Sequence, residues 1–365
     1  MNAGTTPVVD GLQCGPYDRE VFRQLRAGGV VCATATVAFW EDAVETMDAL
    51  AAWHDLAEDN ADLVLLARDG ADIERARAEG RTAIVLGAQN ATPLQGRLGF
   101  VRHFHAMGLR VMQLTYNNNN ELGGSCYETR DPGLTRFGRE VVAEMNAAGL
   151  LVDLSHSGER TRRDAIEHSA VPVAVTHANP RSLYDHPRNV EDATLKALAA
   201  RDGILGLATY RAISGRYAGS LDEWCAMVAR TVELMGVRHV AIGTDLSPKA
   251  GAAEFAWMRK GRWTRGEQRG ADLTPPHPPA DGPGAEAATA AATTTTSTEN
   301  GTRTATATAP TADDTTEWLA DASGLARVAA RLTERFGFTA AEAAAVVGGN
   351  WLRLYSTAFR PRSVS

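Results

Sequence analysis

The sequence predicts an α/β protein built as a (β/α)8 barrel of the TIM type, and three observations carry this prediction. Short apolar runs rich in Val, Ile, Leu and Ala alternate with amphipathic segments of helical length along the chain. Several of these runs are continuous, as is typical of parallel strands covered by helices on both faces. Roughly eight β–α units favour a closed barrel. No GxGxxG motif opens a helix after the first strand, which argues against a dinucleotide-binding fold.

Strands and helices are predicted in alternation from the start of the chain. The nine predicted strands are residues 7–10, 30–37, 63–66, 83–87, 111–115, 150–154, 171–176, 204–209 and 240–243. Between them, helical patterning is clearest in residues 98–107, 136–148, 160–168, 195–201 and 221–235. Helical patterning returns at residue 317 and continues through 325–336 and 340–347 to 354, where Gly348 and Gly349 interrupt it. This last stretch predicts a C-terminal helical pair on the barrel wall.

Residues 274–316 differ in composition from the rest of the chain. They are dominated by Ala, Thr and Pro and contain almost no large apolar side chain. Such a segment cannot offset the entropy of ordering, so a disordered insertion is predicted. The predicted organisation is therefore a barrel at 1–273, this insertion, and C-terminal helices at 317–365 that complete the barrel domain.

Composition and charge exclude several classes of function. The net charge of −7 offers no basic surface for nucleic acid or an anionic membrane. The N-terminus lacks the pattern of a signal peptide, and no apolar run approaches the roughly 18 residues of a membrane span. The four cysteines form no CxxC pair, which argues against a disulfide scaffold or a zinc ribbon. We expect a cytoplasmic protein with a small-molecule substrate, and a homodimer as one option.

Polar side chains follow five of the predicted strands: Gln89, Tyr116, His156, His177 and Asp245. In a (β/α) barrel the carboxyl ends of the strands share one face, where reactive groups gather. His156 and His177 are one β–α unit apart, so they should stand side by side. Two imidazoles suit a divalent ion such as zinc. A single histidine in a barrel mouth is more often structural, but this pair near Asp245 favours a metal site.

Two further segments are expected at the same face. Arg188 lies in THANPRSLYDHPRN (176–189), just past His177, where a guanidinium could hold a substrate carboxylate through two parallel hydrogen bonds. A surface salt bridge is the alternative that the residues alone leave open. The segment WMRKGRW (257–263) follows Asp245 and could cover the barrel mouth with aromatic and cationic side chains.

Seven segments together resemble the membrane-dipeptidase family, or M19 metallopeptidases. They are GLRVMQLTYNNNN (108–120), LTRFGREVVAEMN (134–146), LVDLSHSGERT (151–161), PVAVTHANPRSL (172–183), HPRNVEDATL (186–195), IGTDL (242–246) and VVGGNWLRLY (346–355). They occur in the family's order and cover nearly all of the chain except residues 274–316. The resemblance implies a barrel of the metallo-dependent hydrolase kind that cleaves dipeptides with a two-metal centre.

The resemblance also implies roles for four residues. His156 and His177 match the two histidine ligands of one metal. Arg188 matches the arginine that grips the terminal carboxylate of the substrate. Asp245 matches the acidic residue that handles the proton of the attacking water.

The other half of the family's metal centre is altered. The family's Asp-Gly-His-Asn-Asp after the first strand reads DGLQC (10–14), so Leu12 and Cys14 replace two ligands of the other metal. Gln89 stands at the position of the metal-bridging glutamate, and its neutral amide lacks the charge that joins two cations. Tyr116 replaces a substrate-contacting histidine.

Three hypotheses follow for the function. The first is a metal-dependent hydrolase for a dipeptide or small carboxylate-bearing amide, with one zinc ion on His156 and His177. In it Asp245 is the general base, Tyr116 a second catalytic group and Arg188 the carboxylate site, while Gln89 and Asn117 contact the substrate. The second is a repurposed family member that catalyses a non-hydrolytic elimination or isomerisation on a small amino-acid-derived metabolite. The third is a non-catalytic binding protein.

Overall fold

Parallel strands form the centre of the molecule in the computed structural model, which describes residues 6–262, 264–265, 316 and 318–360. The strands of this part are β1 (Val8–Gln13), β2 (Val30–Ala38), β3 (Val64–Leu66), β4 (Thr82–Ala88), β5 (Leu109–Gln113), β6 (Leu151–Asp153), β7 (Ala174–Ala178), β8 (Ile204–Leu207) and β9 (Val240–Ile242). Each of the nine predicted strands is present. Their ends differ from the predicted ones by a few residues.

Eight of these strands close into a ring, which confirms the predicted (β/α)8 barrel. The ring runs β1, β2, β4, β5, β6, β7, β8, β9, and parallel pairing of Asp10 with Ile242 joins β9 back to β1. The join between β2 and β4 is a long parallel register from Cys32–Ala83 to Ala38–Ala88. Strand β3 pairs only with the first half of β4, so this predicted strand is an edge outside the ring.

Helices connect and surround the strands. Those described are α1 (Arg19–Ala27), α2 (Ala43–Asp59), α3 (Gly70–Ala78), α4 (Phe100–Ala106), α5 (Arg136–Ala148), α6 (Glu159–His168), α7 (Asp192–Ala200), α8 (Arg211–Ser214), α9 (Leu221–Met235), α10 (Ala252–Lys260), α11 (Val328–Phe336), α12 (Ala340–Ala344) and α13 (Asn350–Ala358). The helix α2 begins with a capping box, in which Asp42 accepts from the Glu45 amide while the Glu45 side chain accepts from the Asp42 amide. The helix α5 ends at Gly149, whose left-handed φ of 81° closes the last turn.

The C-terminal helices differ in one respect from the predicted pair. A π-helical turn, Ala345–Gly349, joins α12 to α13, so Gly348 and Gly349 do not break the helix. A Cβ atom on Gly348 would collide with the carbonyl oxygen of Pro7. This glycine therefore allows close approach of the helix to the start of β1.

The helix α13 closes the amino-terminal end of the barrel. Trp351 is fully buried, and its indole N–H donates to the Ile242 carbonyl at 2.7 Å. Tyr355 stacks on Trp351 and lies 2.8 Å, hydroxyl to hydroxyl, from Thr34 of β2. These rings pack with the inward residues Val9, Val111 and Ile204. Because this end is filled, the opposite end of the barrel, where the strands terminate, is the open one.

Two other predictions meet the structure only in part. Of the predicted insertion, residues 274–315 lie outside the described residues. Thr316 is buried, and its carbonyl oxygen accepts a hydrogen bond from the Leu319 amide at 3.1 Å. The division into barrel, insertion and C-terminal helices stays a prediction. None of the helices in the described ranges has the length and apolarity to cross a membrane.

Candidate active site

A cavity of about 450 Å³ opens at the carboxyl ends of the strands. Of the seven residues predicted for the site, six line it: Gln89, Tyr116, Asn117, His156, Arg188 and Asp245. The seventh, His177, is fully buried directly behind His156. The barrel brings these side chains together because they follow neighbouring parallel strands at the same end.

The two histidines point their Nε2 atoms at each other, 3.1 Å apart. On the far side of each ring, Nδ1 has an acceptor. The Asn117 amide oxygen lies 2.7 Å from Nδ1 of His156, and the Thr176 hydroxyl oxygen lies 2.8 Å from Nδ1 of His177. The Thr176 hydroxyl donates its own proton to Asp153 at 2.7 Å, so its oxygen is free to accept. Both rings are thus N–H donors at Nδ1 and carry lone pairs at Nε2.

Burial keeps this pair uncharged. Desolvation, followed by the nearby Arg188 guanidinium, lowers the pKa of each imidazole well below its ordinary value of 6.5. In this tautomer the two lone pairs converge at 3.1 Å and repel each other, and a cation that accepts both of them removes the repulsion. Zinc–imidazole bonds of about 2.0–2.1 Å can bridge such a separation. The donor set therefore fits one divalent ion, with the Nδ1 partners orienting both rings.

The described residues offer this ion few other protein ligands. Within them, no group of three or more His, Cys, Asp or Glu side chains is placed to hold a metal. Positions beyond the two imidazoles would therefore fall to solvent, substrate or a neutral amide such as that of Gln89.

The residues at the positions where the family resemblance implies a second metal have a different character. Leu12 is buried, and Gln13 donates to Asp10 at 2.8 Å. The Cys14 sulfur lies 3.5 Å from a carboxylate oxygen of Asp245 and 3.2 Å from the Ser247 hydroxyl. Burial, and then the charge of Asp245, raises the pKa of the Cys14 thiol well above 9. A thiol that stays protonated is a poor metal ligand.

Asp245 occupies a backbone conformation that side-chain-bearing residues rarely adopt, with φ of 61°. Its amide donates to the Leu12 carbonyl at 3.1 Å, which ties the end of β9 to the end of β1. Burial raises the pKa of its carboxyl from 3.8 to about 6, with Arg188 acting in the opposite direction. A carboxylate with a pKa near 6 is a suitable general base at neutral pH.

Arg188 is buried at the cavity wall, with 2% of its surface exposed. One terminal nitrogen donates to the Ser155 carbonyl and the other to the His177 carbonyl at 2.7 Å. These two bonds fix the plane of the guanidinium and leave three of its five N–H groups for other acceptors. Across the described part of the chain, no ion pair joins Arg188 to a carboxylate, so the surface salt bridge considered from the sequence is not found there.

Aromatic rings form one wall of the cavity. Tyr116 packs on His156 with ring centroids 4.3 Å apart, and Trp40 packs edge-on against Tyr116 at 5.2 Å. Burial raises the pKa of the Tyr116 phenol well above 10, so the group is a hydrogen-bond donor. Gln89 donates to the Thr36 hydroxyl at 3.0 Å.

Several lining residues were not among those predicted from the sequence. They are Val21 of α1, Tyr127, Tyr210, Phe255 of α10 and Leu319. Tyr210 follows the end of β8 closely and could have been found by the rule applied to the other strands. The others come from helices and loops, whose position at the mouth depends on tertiary packing. Of the segment 257–263, Met258 and Arg259 line the cavity, and Trp263 lies outside the described residues.

The barrel and the donors at its mouth define a class: a (β/α)8 barrel of the amidohydrolase kind. Residues 18–255 match the model of the family described as membrane dipeptidase (peptidase family M19). Because this match covers more than half of the chain, the protein belongs to the M19 family.

Individual relatives agree with this family. Dipeptidase verJ of Clonostachys rogersoniana is 28% identical over 257 residues, which are 65% of this chain and 66% of that protein. The chain spans only 40% to 66% of the length of this and two other fungal dipeptidases that it matches. A solved amidohydrolase from Pseudomonas aeruginosa is 29% identical, with a TM-score of 0.82 and 97% of both chains covered. A metallopeptidase from Rhodobacter sphaeroides, solved with a phosphinate mimic of the dipeptide L-Ala-D-Ala, shares the fold at 18% identity and a TM-score of 0.68, over 97% of this chain and 99% of that one.

Proposed function

We propose that this protein hydrolyses the amide bond of a dipeptide, or of a similar small amide with a free carboxylate, with the help of one divalent ion. The observation that carries the proposal is the pair of neutral imidazoles with converging Nε2 atoms beside a cavity that also holds Asp245 and Arg188. Membership of a family of metallopeptidases supports dependence on a divalent metal. We propose zinc, because two imidazoles suit this borderline-soft ion.

The two histidines, Asp245 and Tyr116 have separate roles in the chemical step of this reaction. A divalent ion held by His156 and His177 would supply Lewis acidity, which makes a nearby water acidic enough to react near neutral pH. Asp245, with its pKa of about 6, accepts the proton of the attacking water and passes it to the leaving amine. Tyr116 donates a hydrogen bond to the oxygen on which negative charge develops.

Substrate is held by groups around this centre. Arg188 binds the terminal carboxylate through its free N–H groups. The Gln89 and Asn117 side chains line the same cavity and bind the amide. Asn117 also fixes the ring of His156 through its side-chain oxygen, so it orients a metal ligand as well as contacting the substrate.

The surroundings of the protein belong to the same proposal. All four cysteines are free thiols, which suits a reducing compartment such as the cytoplasm. The net charge of −7 favours a small-molecule partner over nucleic acid. Val44 and Met47 are large apolar side chains exposed on α2. This patch is where we propose a homodimer contact, which the mass of the purified protein in solution would test.

The test of the substrate class uses two substrates that differ only in amidation of the terminal carboxylate. Wild type should strongly prefer the free acid. Losing one or two charge-assisted hydrogen bonds, each worth roughly 1.5–3 kcal/mol, should lower kcat/KM for the acid at least about tenfold in Arg188→Ala. Arg188→Lys keeps the charge but loses the planar fork, and should recover only part of the preference. If wild type treats acid and amide alike, the proposed substrate class is wrong.

Product analysis separates hydrolysis from a non-hydrolytic reaction. The second reaction is considered because Leu12 and Gln89 replace metal ligands that the family resemblance implies. Mass spectrometry should find two products whose combined mass exceeds that of the substrate by one water. A product of unchanged mass would indicate isomerisation, and a loss of mass without uptake of water would indicate elimination.

A further inference from the structure

Besides the polar groups described above, the cavity beside His156 is lined by apolar side chains. Four of these come from three separate elements: Val21 of α1, Phe255 and Met258 of α10, and Leu319 from the segment that precedes α11. We call these four residues the apolar wall.

The apolar wall is well packed although it faces a cavity. Val21 and Leu319 are each about 1% exposed, and Met258 is 8% exposed. Such side chains are ordered by their surroundings, so the apolar wall keeps a fixed shape. The Arg259 guanidinium packs over the Phe255 ring, 5.0 Å from the ring centroid.

Hydrogen bonds hold α10 across the mouth. The Trp40 indole donates to the Met258 carbonyl at 3.3 Å, and the Trp257 indole donates to Glu41 at 2.7 Å. Arg262, just past the helix, forms an ion pair with Glu45 of α2 at 2.6 Å. These contacts tie α10, which follows β9, to the loop after β2 and to α2. The part of the apolar wall that lies on α10 is therefore anchored to the residues that follow β2.

We infer that the apolar wall binds the acyl half of the substrate and selects substrates in which this half carries a large apolar group. This inference rests on the proposed function, because it places the carboxylate at Arg188 and the scissile amide beside His156. The remaining acyl side is then left to contact the apolar wall of the same cavity. A cavity of about 450 Å³ lies in the range that accommodates drug-sized ligands, and exceeds what a substrate such as Gly-Ala fills.

The size of the expected preference follows from the burial of methylene groups. Each methylene removed from water contributes roughly 0.8 kcal/mol, which corresponds to about a fourfold change in kcat/KM. A series with a constant carboxyl-terminal alanine and an unbranched amino-terminal side chain isolates this effect. The series is Gly-Ala, Ala-Ala, norvalyl-Ala and norleucyl-Ala.

The experiment measures kcat/KM along this series for the metal-replete protein and three variants. Wild type should gain about fourfold per added methylene. Met258→Ser and Val21→Thr should weaken the dependence of kcat/KM on side-chain length. Val21→Thr keeps the shape of the side chain, so it still tests the inference if Met258→Ser does not fold. Ala51→Ser, on the exposed face of α2 and outside the cavity, is the control and should keep the wild-type slope.

A binding measurement keeps this inference separate from the proposed function. Calorimetric Kd values for the same four dipeptides are taken with metal-replete Asp245→Asn, in which turnover is slow. If wild type hydrolyses none of the dipeptides but Kd still decreases with side-chain length, the proposed reaction is wrong and the inference about the apolar wall is supported. A flat or reversed dependence in Kd, or in kcat/KM of wild type, overturns the inference even where hydrolysis is observed.

Discussion

Two residues of the candidate site, Asp245 and Asn117, have left-handed backbone conformations with φ of 61° and 58°. Such conformations cost about 1–3 kcal/mol each in residues other than glycine, and they cluster at functional sites. Here the conformation is held by contacts on either side. The Asp245 amide bonds to Leu12, and the Asn117 side-chain oxygen bonds to His156. The strain thus positions the proposed base and the side chain that orients a proposed metal ligand.

The pH dependence of the reaction should report on Asp245. Burial raises its pKa to about 6, so the carboxylate is available as a base above this pH and becomes protonated below it. We expect kcat/KM to fall with an inflection near pH 6, approaching a tenfold loss per pH unit on the acid side. The histidines do not give this inflection, because their pKa values lie well below 6.5.

A pH–rate profile from pH 4 to 9 checks this assignment. Asp245→Asn should have little activity and no inflection near pH 6. A wild-type profile that stays flat down to about pH 4, the range of an ordinary carboxyl, would show that Asp245 is not the base.

How far the sequence predicts the site depends on where each residue lies. His156, His177 and Asp245 follow strands, and parallel strands bring their ends together whatever the loops do. Tyr210, three residues after β8, follows the same rule. Phe255 and Leu319 could not be found in this way, since α10 and the segment before α11 reach the cavity only through contacts far apart in sequence, such as that between Trp257 and Glu41.

At the scale of elements, the continuous apolar runs predicted the strands well, because parallel strands must be buried on both faces. The edge position of β3 was not predictable, since pairing partners are set by the whole sheet and not by local composition. The sequence predicts a break in the helix at Gly348, whereas the structure places this glycine where the helix contacts Pro7. A glycine that permits close packing and a glycine that ends a helix look the same in one sequence.

The helix α13 should contribute strongly to stability through Trp351. Its ring is fully buried under the barrel, and its N–H bonds to Ile242. Replacing a buried tryptophan with alanine costs about 3–5 kcal/mol, so Trp351→Ala should lower the free energy of unfolding by about this amount. Urea denaturation measures it. Leu352→Ala, a partly buried neighbour on the same helix, is the control and should cost clearly less.

The candidate active site lies at the other end of the barrel, so Trp351→Ala should keep the kcat/KM of wild type at temperatures where the variant is folded. If Trp351→Ala lowers the free energy of unfolding by less than about 1 kcal/mol, which is typical of an ordinary substitution, α13 does not stabilise the barrel.

At the scale of the whole molecule, residues 274–315 should be dispensable for folding. Their composition offers little apolar surface to bury. Replacing 274–310 with a short Gly/Ser linker leaves Thr316 and Leu319 in place, and should leave thermal unfolding nearly unchanged. A loss of more than about 2 kcal/mol, large for a surface segment, would mean that these residues pack against the rest of the chain.

The same deletion should leave the slope of the dipeptide series unchanged, because the apolar wall is built from residues outside it. A changed slope with unchanged stability would show that the deleted segment also contacts the substrate.

The central claim is that His156 and His177 would hold one divalent ion, and metal analysis tests it most directly. Protein purified without chelators and measured by elemental analysis should contain close to one divalent ion per chain, because two imidazoles converge at one point and Leu12 and a protonated Cys14 replace the ligands of a second. The double variant His156→Ala, His177→Ala should lose the ion while remaining folded. The matched control His103→Ala, His168→Ala removes two exposed helical histidines and should retain it. Two ions per wild-type chain, or an ion retained in the first double variant, would contradict the account.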